Sequence, residues 1–289
     1  MADRGVFGGG GSTNVIDYIT ISTTGNASDF GDLTNSRDSL AATSNGTDER
    51  GVFGGGSSSN VIDYITISTI GNALNFGDLT SDRESLSATS NGTDDRGVFG
   101  GGSSSNIIDY ITISTTGNAS DFGDLIGYIE SLAATSNGTN DRGIFGGVFI
   151  EGSHTIEYIT ISTIGNASDF GDLTNNREAL AATSNGGSDR GVFGGGFVED
   201  FINIIDYVTV STTSNATDFG DLTAARSSLT ATSNGTDNRG VFGGGFSGNS
   251  QSMIDYITIS TVGNASDFGD LTSSRDSLAA TSDFADLAC

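Results

Sequence analysis

The phrase Arg-Gly-Val-Phe-Gly-Gly-Gly begins at Arg4, Arg50 and Arg96, returns as Arg-Gly-Ile-Phe-Gly-Gly at Arg142, and resumes its first form at Arg190 and Arg239. The spacings are 46, 46, 46, 48 and 49 residues. Near-identical repeats of this length must each build the same supersecondary unit, and one such unit cannot bury its apolar surface alone. The fold must therefore be an array of six like units.

Each copy continues into a β-branched run around an Asp-Tyr or Glu-Tyr pair, as in Val61-Ile62-Asp63-Tyr64-Ile65-Thr66-Ile67-Ser68. Gly71-Asn72-Ala73 and Phe76-Gly77-Asp78-Leu79 follow, then a small-residue run such as Ser85-Leu86-Ser87-Ala88-Thr89-Ser90 and the pair Asn91-Gly92. Val, Ile, Thr, Tyr and Phe favour strands, and Asn-Gly between apolar runs signals a hairpin. Four strands of about 5–6 residues with short connections need roughly 40–46 residues, which fits one period. No segment carries apolar residues at helical spacing between caps.

The pattern resembles the Kelch repeat. Its match here runs through Arg83, Leu86, Ala88, Asn91-Gly92, Val98-Phe99, Gly100-Gly101 and Asp109-Tyr110, with Phe122 where that family carries a late tryptophan. The wording of the repeat also resembles Kelch-like arrays encoded by marine bacteriophages, over nearly the whole chain. The resemblance implies a β-propeller, and the strand inventory agrees. The chain begins with a Val-Phe-Gly-Gly strand that lacks a small-residue strand before it, and ends with an unpartnered one at Ser277-Leu278-Ala279-Ala280-Thr281-Ser282. The expected fold is all-β: a six-bladed β-propeller spanning 1–289, four antiparallel strands per blade, closed by a C-terminal strand at 276–282 pairing with the N-terminal blade. Closure removes free sheet edges, whereas the competing open solenoid needs caps that the sequence does not show.

Charge narrows the function. Eleven basic residues, all arginine, face 36 acidic ones for a net charge of −25. Such a surface repels phosphates, so nucleic acid is not expected as a partner. No apolar run is long enough to cross a bilayer, so membrane insertion is not expected, and the amino terminus lacks the pattern of a Sec signal. The expected location is a virion, or outside the cell by a route without that signal; a cytoplasmic location is the alternative.

Catalytic signals are missing. His154 is the sole histidine and Cys289 the sole cysteine; no Ser/His/Asp set with a recognisable elbow accompanies them, and they are too few for the metal ligands of the copper enzymes that use a Kelch-type propeller. The glycine runs lack the lysine of a phosphate loop. Asp29-Phe30-Gly31-Asp32 and its copies offer carboxylates to a hard cation, but their spacing matches no calcium loop, and turn formation is the expected role. The chain is expected to be non-enzymatic and to need no cofactor. The arginines before the small-residue strand (Arg37, Arg83, Arg177, Arg226, Arg275) are expected to pair with Asp or with backbone carbonyls between blades, and Ile129 should break that pattern once.

Copies differ mainly in the loop between the second and third strands of a blade. In up-and-down blades this loop shares a face with the connection to the next blade. The candidate partner-binding residues are Tyr128, Phe149, Ile150, His154, Phe197, Val198, Phe201, Ile202 and Phe246 on that face, with the opposite face nearly sixfold uniform. An exposed apolar patch of this kind marks an interaction site. The expected partners are protein subunits of a larger particle or a host-surface glycan or protein, making the chain a phage virion or attachment module. An intracellular Kelch-type adaptor is the alternative.

Overall fold

The computed structural model describes residues 3–44, 49–92, 94–147, 154–185, 187–235 and 238–282. It is a six-bladed β-propeller with no helix among them. From the axis outward, the first blade runs Ala279–Ser282, Arg4–Gly8, Val15–Thr20 and Ser28–Asp32. The second runs Ala41–Ser44, Arg50–Gly54, Ser59–Thr66 and Leu74–Arg83, and four more blades repeat this antiparallel order. The expected closure is present: Gly5 pairs with Ser282, Val6 with Thr281, Phe7 with Ala280 and Gly8 with Ala279. The closing strand is Ala279–Ser282, shorter than the expected 276–282, because Asp276 and Ser277 belong to the connection that crosses between blades.

Alternation along a strand sends neighbouring side chains to opposite faces, and here each face meets a different blade. Val6, Ile16 and Phe30 of the first blade pack with Phe53, Ile65 and Ile67 of the second. Phe7, Ile19 and Ile21 pack the other way, with Val241, Ile254 and Phe268 of the sixth. The core is therefore six equivalent layers between blades, which is why isoleucine occupies both parities of the third strand.

Glycine sets how closely blades approach. A Cβ on Gly8 would lie 2.6 Å from the Phe53 ring, and the relation recurs around the circle to Gly243 against Phe7. In the outer strand, the expected turn at Asp-Phe-Gly-Asp is instead a β-bulge. Ile16 pairs with Gly31 but Asp17 with Asp29, so Phe30 is the extra residue and turns into the core. Gly31 takes φ 149°, and a Cβ there would sit 2.5 Å from the Gly71 carbonyl.

Neighbouring blades are bonded to each other at both the rim and the axis. On the rim, the Gly-Asn-Ala loop of one blade bonds the outer strand of the preceding one: the Gly71 amide donates to Phe30 O (2.9 Å) and the Ala73 amide to Asp32 O (2.8 Å). The Asp32 amide in turn donates to Asn72 Oδ1 at 3.1 Å. The seam obeys the same rule, with the Gly25 amide donating to Phe268 O (2.8 Å) and the Ala27 amide to Asp270 O (2.7 Å). At the axis, the amides of Ser39, Ser85, Ser131, Ala179, Ser228 and Ser277 each donate to the carbonyl of the preceding member at 2.7–2.9 Å, Ser39 donating to Ser277. All six adopt left-handed φ between 53° and 59°. Such conformations cost about 1 kcal/mol or more each for non-glycine residues, so the closed ring of bonds must over-determine them.

Deleting residues 276–289 removes both the inner strand and one member of this ring. The expected outcome is a lower melting temperature and concentration-dependent oligomers on size-exclusion chromatography, because the Arg4–Gly8 strand becomes an open edge. An unchanged melting temperature in a monomer would contradict the closure.

Candidate partner-binding face

The loops between second and third strands and the connections between blades do lie on one face. The Gly10 amide donates to Arg37 O and the Gly11 amide to Asp276 O, so the first loop is wedged between two blade crossings. The axial channel opens here. Its wall carries small side chains, including alanines 42, 88, 134, 182, 231 and 280, around a cavity of ≈ 250 Å³.

The arginines hold this face to the blades. Arg37, Arg83, Arg177, Arg226 and Arg275 are buried and pair with Asp63, Asp109, Asp206, Asp255 and Asp17 at 2.5–2.9 Å. Thr34 Oγ1 donates to the second oxygen of Asp63 (2.7 Å), and Arg37 Nη1 also donates to Gly55 O and Val61 O. The expected pairing with both aspartate and carbonyls is present. Burial lowers the pKa of Arg37, Arg83, Arg177 and Arg275, and the paired aspartates oppose that shift.

The other six arginines lie over tyrosines. Arg4 is 4.8 Å from the Tyr18 ring centroid, Tyr18 meets Phe30 edge-on, and Arg4 Nη1 donates to Ile67 O of the next blade. Each blade repeats this stack, ending with Arg239 over Tyr256 and donating to Ile21 O. All eleven arginines thus have internal roles. Exposed charge is dominated by carboxylates.

The third crossing departs, as Ile129 implies. Ile129 fills the arginine slot, Ile126 replaces the threonine, and Glu157 replaces the aspartate. Glu157 is 3% exposed, and Ile126 N donates to its carboxyl at 2.8 Å. Burial raises its pKa, the Ile126 amide opposes this, and nearby Asp169 adds to it.

Around the channel mouth stand Asp38, Glu84, Glu130, Glu178 and Asp276, one per crossing; Ser227 takes the sixth place. On the side of the first three blades, serines bond them: Ser12 and Ser57 donate to Asp38, Ser58 to Glu84 and Ser104 to Glu130. The side of the fifth and sixth blades is aromatic. Phe197–Val198 and Asp200–Phe201 form a small hairpin with Glu199 at its tip in a left-handed conformation. The Phe197 and Phe201 rings meet at 5.3 Å, and Phe201 meets Phe246 of the sixth blade at 5.8 Å. Val198 and Phe246 are 38% and 36% exposed, while Phe197 and Phe201 are half-buried by each other.

The other candidates fall apart from this strip. Ile202 is half-buried, and its backbone anchors the hairpin by donating to Gly196 O and accepting from Arg226 N. Tyr128 is the most exposed large hydrophobic side chain of the described residues at 70%, near Ile126 at 60%. His154 Nε2 lies 3.9 Å from Asp172 Oδ2 with both side chains well exposed, a loose contact only. Phe149 and Ile150 lie outside the described residues. Among those described, no group of three or more His, Cys, Asp or Glu is arranged to hold a metal ion.

The opposite face needs a correction. It is not uniform in polarity, because Ile70, Ile164 and Val262 are exposed in the second, fourth and sixth blades where Thr24, Thr116 and Thr213 stand in the others. Single side-chain differences inside a constant loop are easy to overlook in the repeat. The mouth carboxylates were equally hidden, since nothing local marks them as a ring.

No known family model matches this chain, and no curated protein matches it. The propeller therefore stands on its geometry alone.

Glu157→Gln separates the cost of the buried carboxyl from the rest of the titration. A carboxyl whose folded pKa is raised loses stability as pH rises through that value, and has its full contribution below the unfolded value near 4.3. The variant should exceed the wild type in urea midpoint at pH 8 and converge with it at acidic pH. An equal difference at both ends would show that Glu157 is not titrating.

Proposed function

We propose that this chain is a non-enzymatic binding propeller that contacts a protein partner through the loop face, acting as a structural or attachment-associated module of a phage particle. The observation that carries the binding role is the partly exposed aromatic strip from Phe197 to Phe246, where the loops of two adjacent blades depart from the shared form and bring large apolar side chains together. Six copies of the same residues serve the array itself, whereas catalysis needs unlike groups converging on one point. The particle assignment rests on the resemblance of the repeat to phage-encoded Kelch-like arrays.

The test is fractionation of particles from the native source on a density gradient, with the chain followed by mass spectrometry. Co-migration with intact particles is expected, and Phe201→Ser with Phe246→Ser should reduce incorporation by about tenfold in a chain whose melting curve is kept. Recovery only in the particle-free fraction would remove the virion role. Unchanged incorporation of the double variant would remove the face.

A further inference from the structure

The aromatic strip has charged ends. At one, Glu178 and Phe197 exchange two backbone hydrogen bonds, the Glu178 amide donating to Phe197 O and the Phe197 amide to Glu178 O. At the other, Phe246 bridges to Ser250, whose hydroxyl donates to Asp276 Oδ2 at 2.6 Å. Between these carboxylates run the three rings, in steps of 5.3 and 5.8 Å. Glu199 at the hairpin tip and Asp200 beside it are exposed. The arginines are engaged within and between blades, so this surface offers its occupant carboxylates and rings.

Resting on the partner-binding reading above, we infer that the strip docks an extended protein segment in which large apolar side chains are flanked on both sides by arginine or lysine. Length agrees: two ring-to-ring steps match three or four residues of extended chain at about 3.3 Å each. Charge agrees as well. An acidic segment would meet Glu178, Asp276, Glu199 and Asp200 without a compensating cation, and like-charge juxtaposition costs more than a rim pair contributes. A guanidinium at either end meets a carboxylate whose charge no arginine neutralises, although Asp276 already accepts from the Ser250 and Ser277 hydroxyls, and it can also lie over an exposed ring. The sixth mouth position matters here. Ser227, 6% exposed, replaces a carboxylate where Phe246 crosses, leaving the middle of the strip apolar and its ends charged.

The experiment uses the full chain and three labelled pentapeptides: arginine ends around leucine-phenylalanine-leucine, the same with glutamate ends, and arginine ends around three serines. Fluorescence anisotropy should give saturable binding of the first alone, weakened about fivefold to tenfold by Glu178→Gln with Asp276→Asn and by raising salt. Val198→Ser with Phe246→Ser should abolish it, with circular dichroism confirming that the blades persist. Equal binding of the arginine- and glutamate-ended peptides, lost in the aromatic variant, would overturn the basic partner while leaving the face as a docking surface. Equal binding by wild type and the aromatic variant would overturn both. Saturable binding of the serine-centred peptide would show that charge alone attracts it, and would overturn the apolar component.

Discussion

The propeller depends on bonding each blade to its two neighbours in one closed circle. A four-stranded blade has two edges of unpaired amides and carbonyls, and six blades in an open row would leave the terminal ones exposed. Here the residues leading into the inner strands join in a head-to-tail ring of six hydrogen bonds through left-handed conformations, and the outer edges are covered by the Gly-Asn-Ala loop of the following blade. Neither arrangement has a beginning or an end. Ser39 donates to Ser277, and Gly25 donates to Phe268, across the junction where the two ends of the propeller meet. Bonds in such a chain polarise one another, so the ring gains from being complete.

Electrostatics follows from the same circle. A buried ion pair adds little net stability compared with a well-packed apolar pair, but losing one partner strands a charge at a cost of about 3–5 kcal/mol. The third crossing shows how the chain avoids that cost. Arginine, threonine and aspartate are replaced together by Ile129, Ile126 and Glu157, and the remaining carboxyl is pushed toward its neutral form by burial. Committing arginine to crossings and tyrosine stacks also shapes the exterior, where carboxylates surround the channel mouth and the aromatic strip.

Much of this was legible in the residues because the repeat states each rule six times. The glycine after Phe in the second strand reads as a close approach, and the ring of the next blade's phenylalanine is what it meets. The substitution at Ile129 reads as a missing contact, and no arginine pairs with Glu157. The loop residues around Phe197 and Phe246 stand out because they break the pattern. Less visible were features whose partners lie a blade away. Gly-Asn-Ala reads as a turn, yet it also serves as an added edge for another sheet. Phe-Gly in the outer strand reads as a turn, yet pairing with the third strand makes it a bulge.

The amino-acid sequence by itself determined the unit, its number and the ring, because local strand preference, turn residues and a strand inventory of six of each kind all point to one closed solution. Only the tertiary structure decided which surfaces meet: that Phe197, Phe201 and Phe246 join into a strip across two blades, that Glu178 and Asp276 stand at its ends, and that Glu157 is buried without an arginine. Those relations link residues about 20 to 100 positions apart through the rotation between blades, a quantity set by packing of whole sheets and written in no local stretch of the chain.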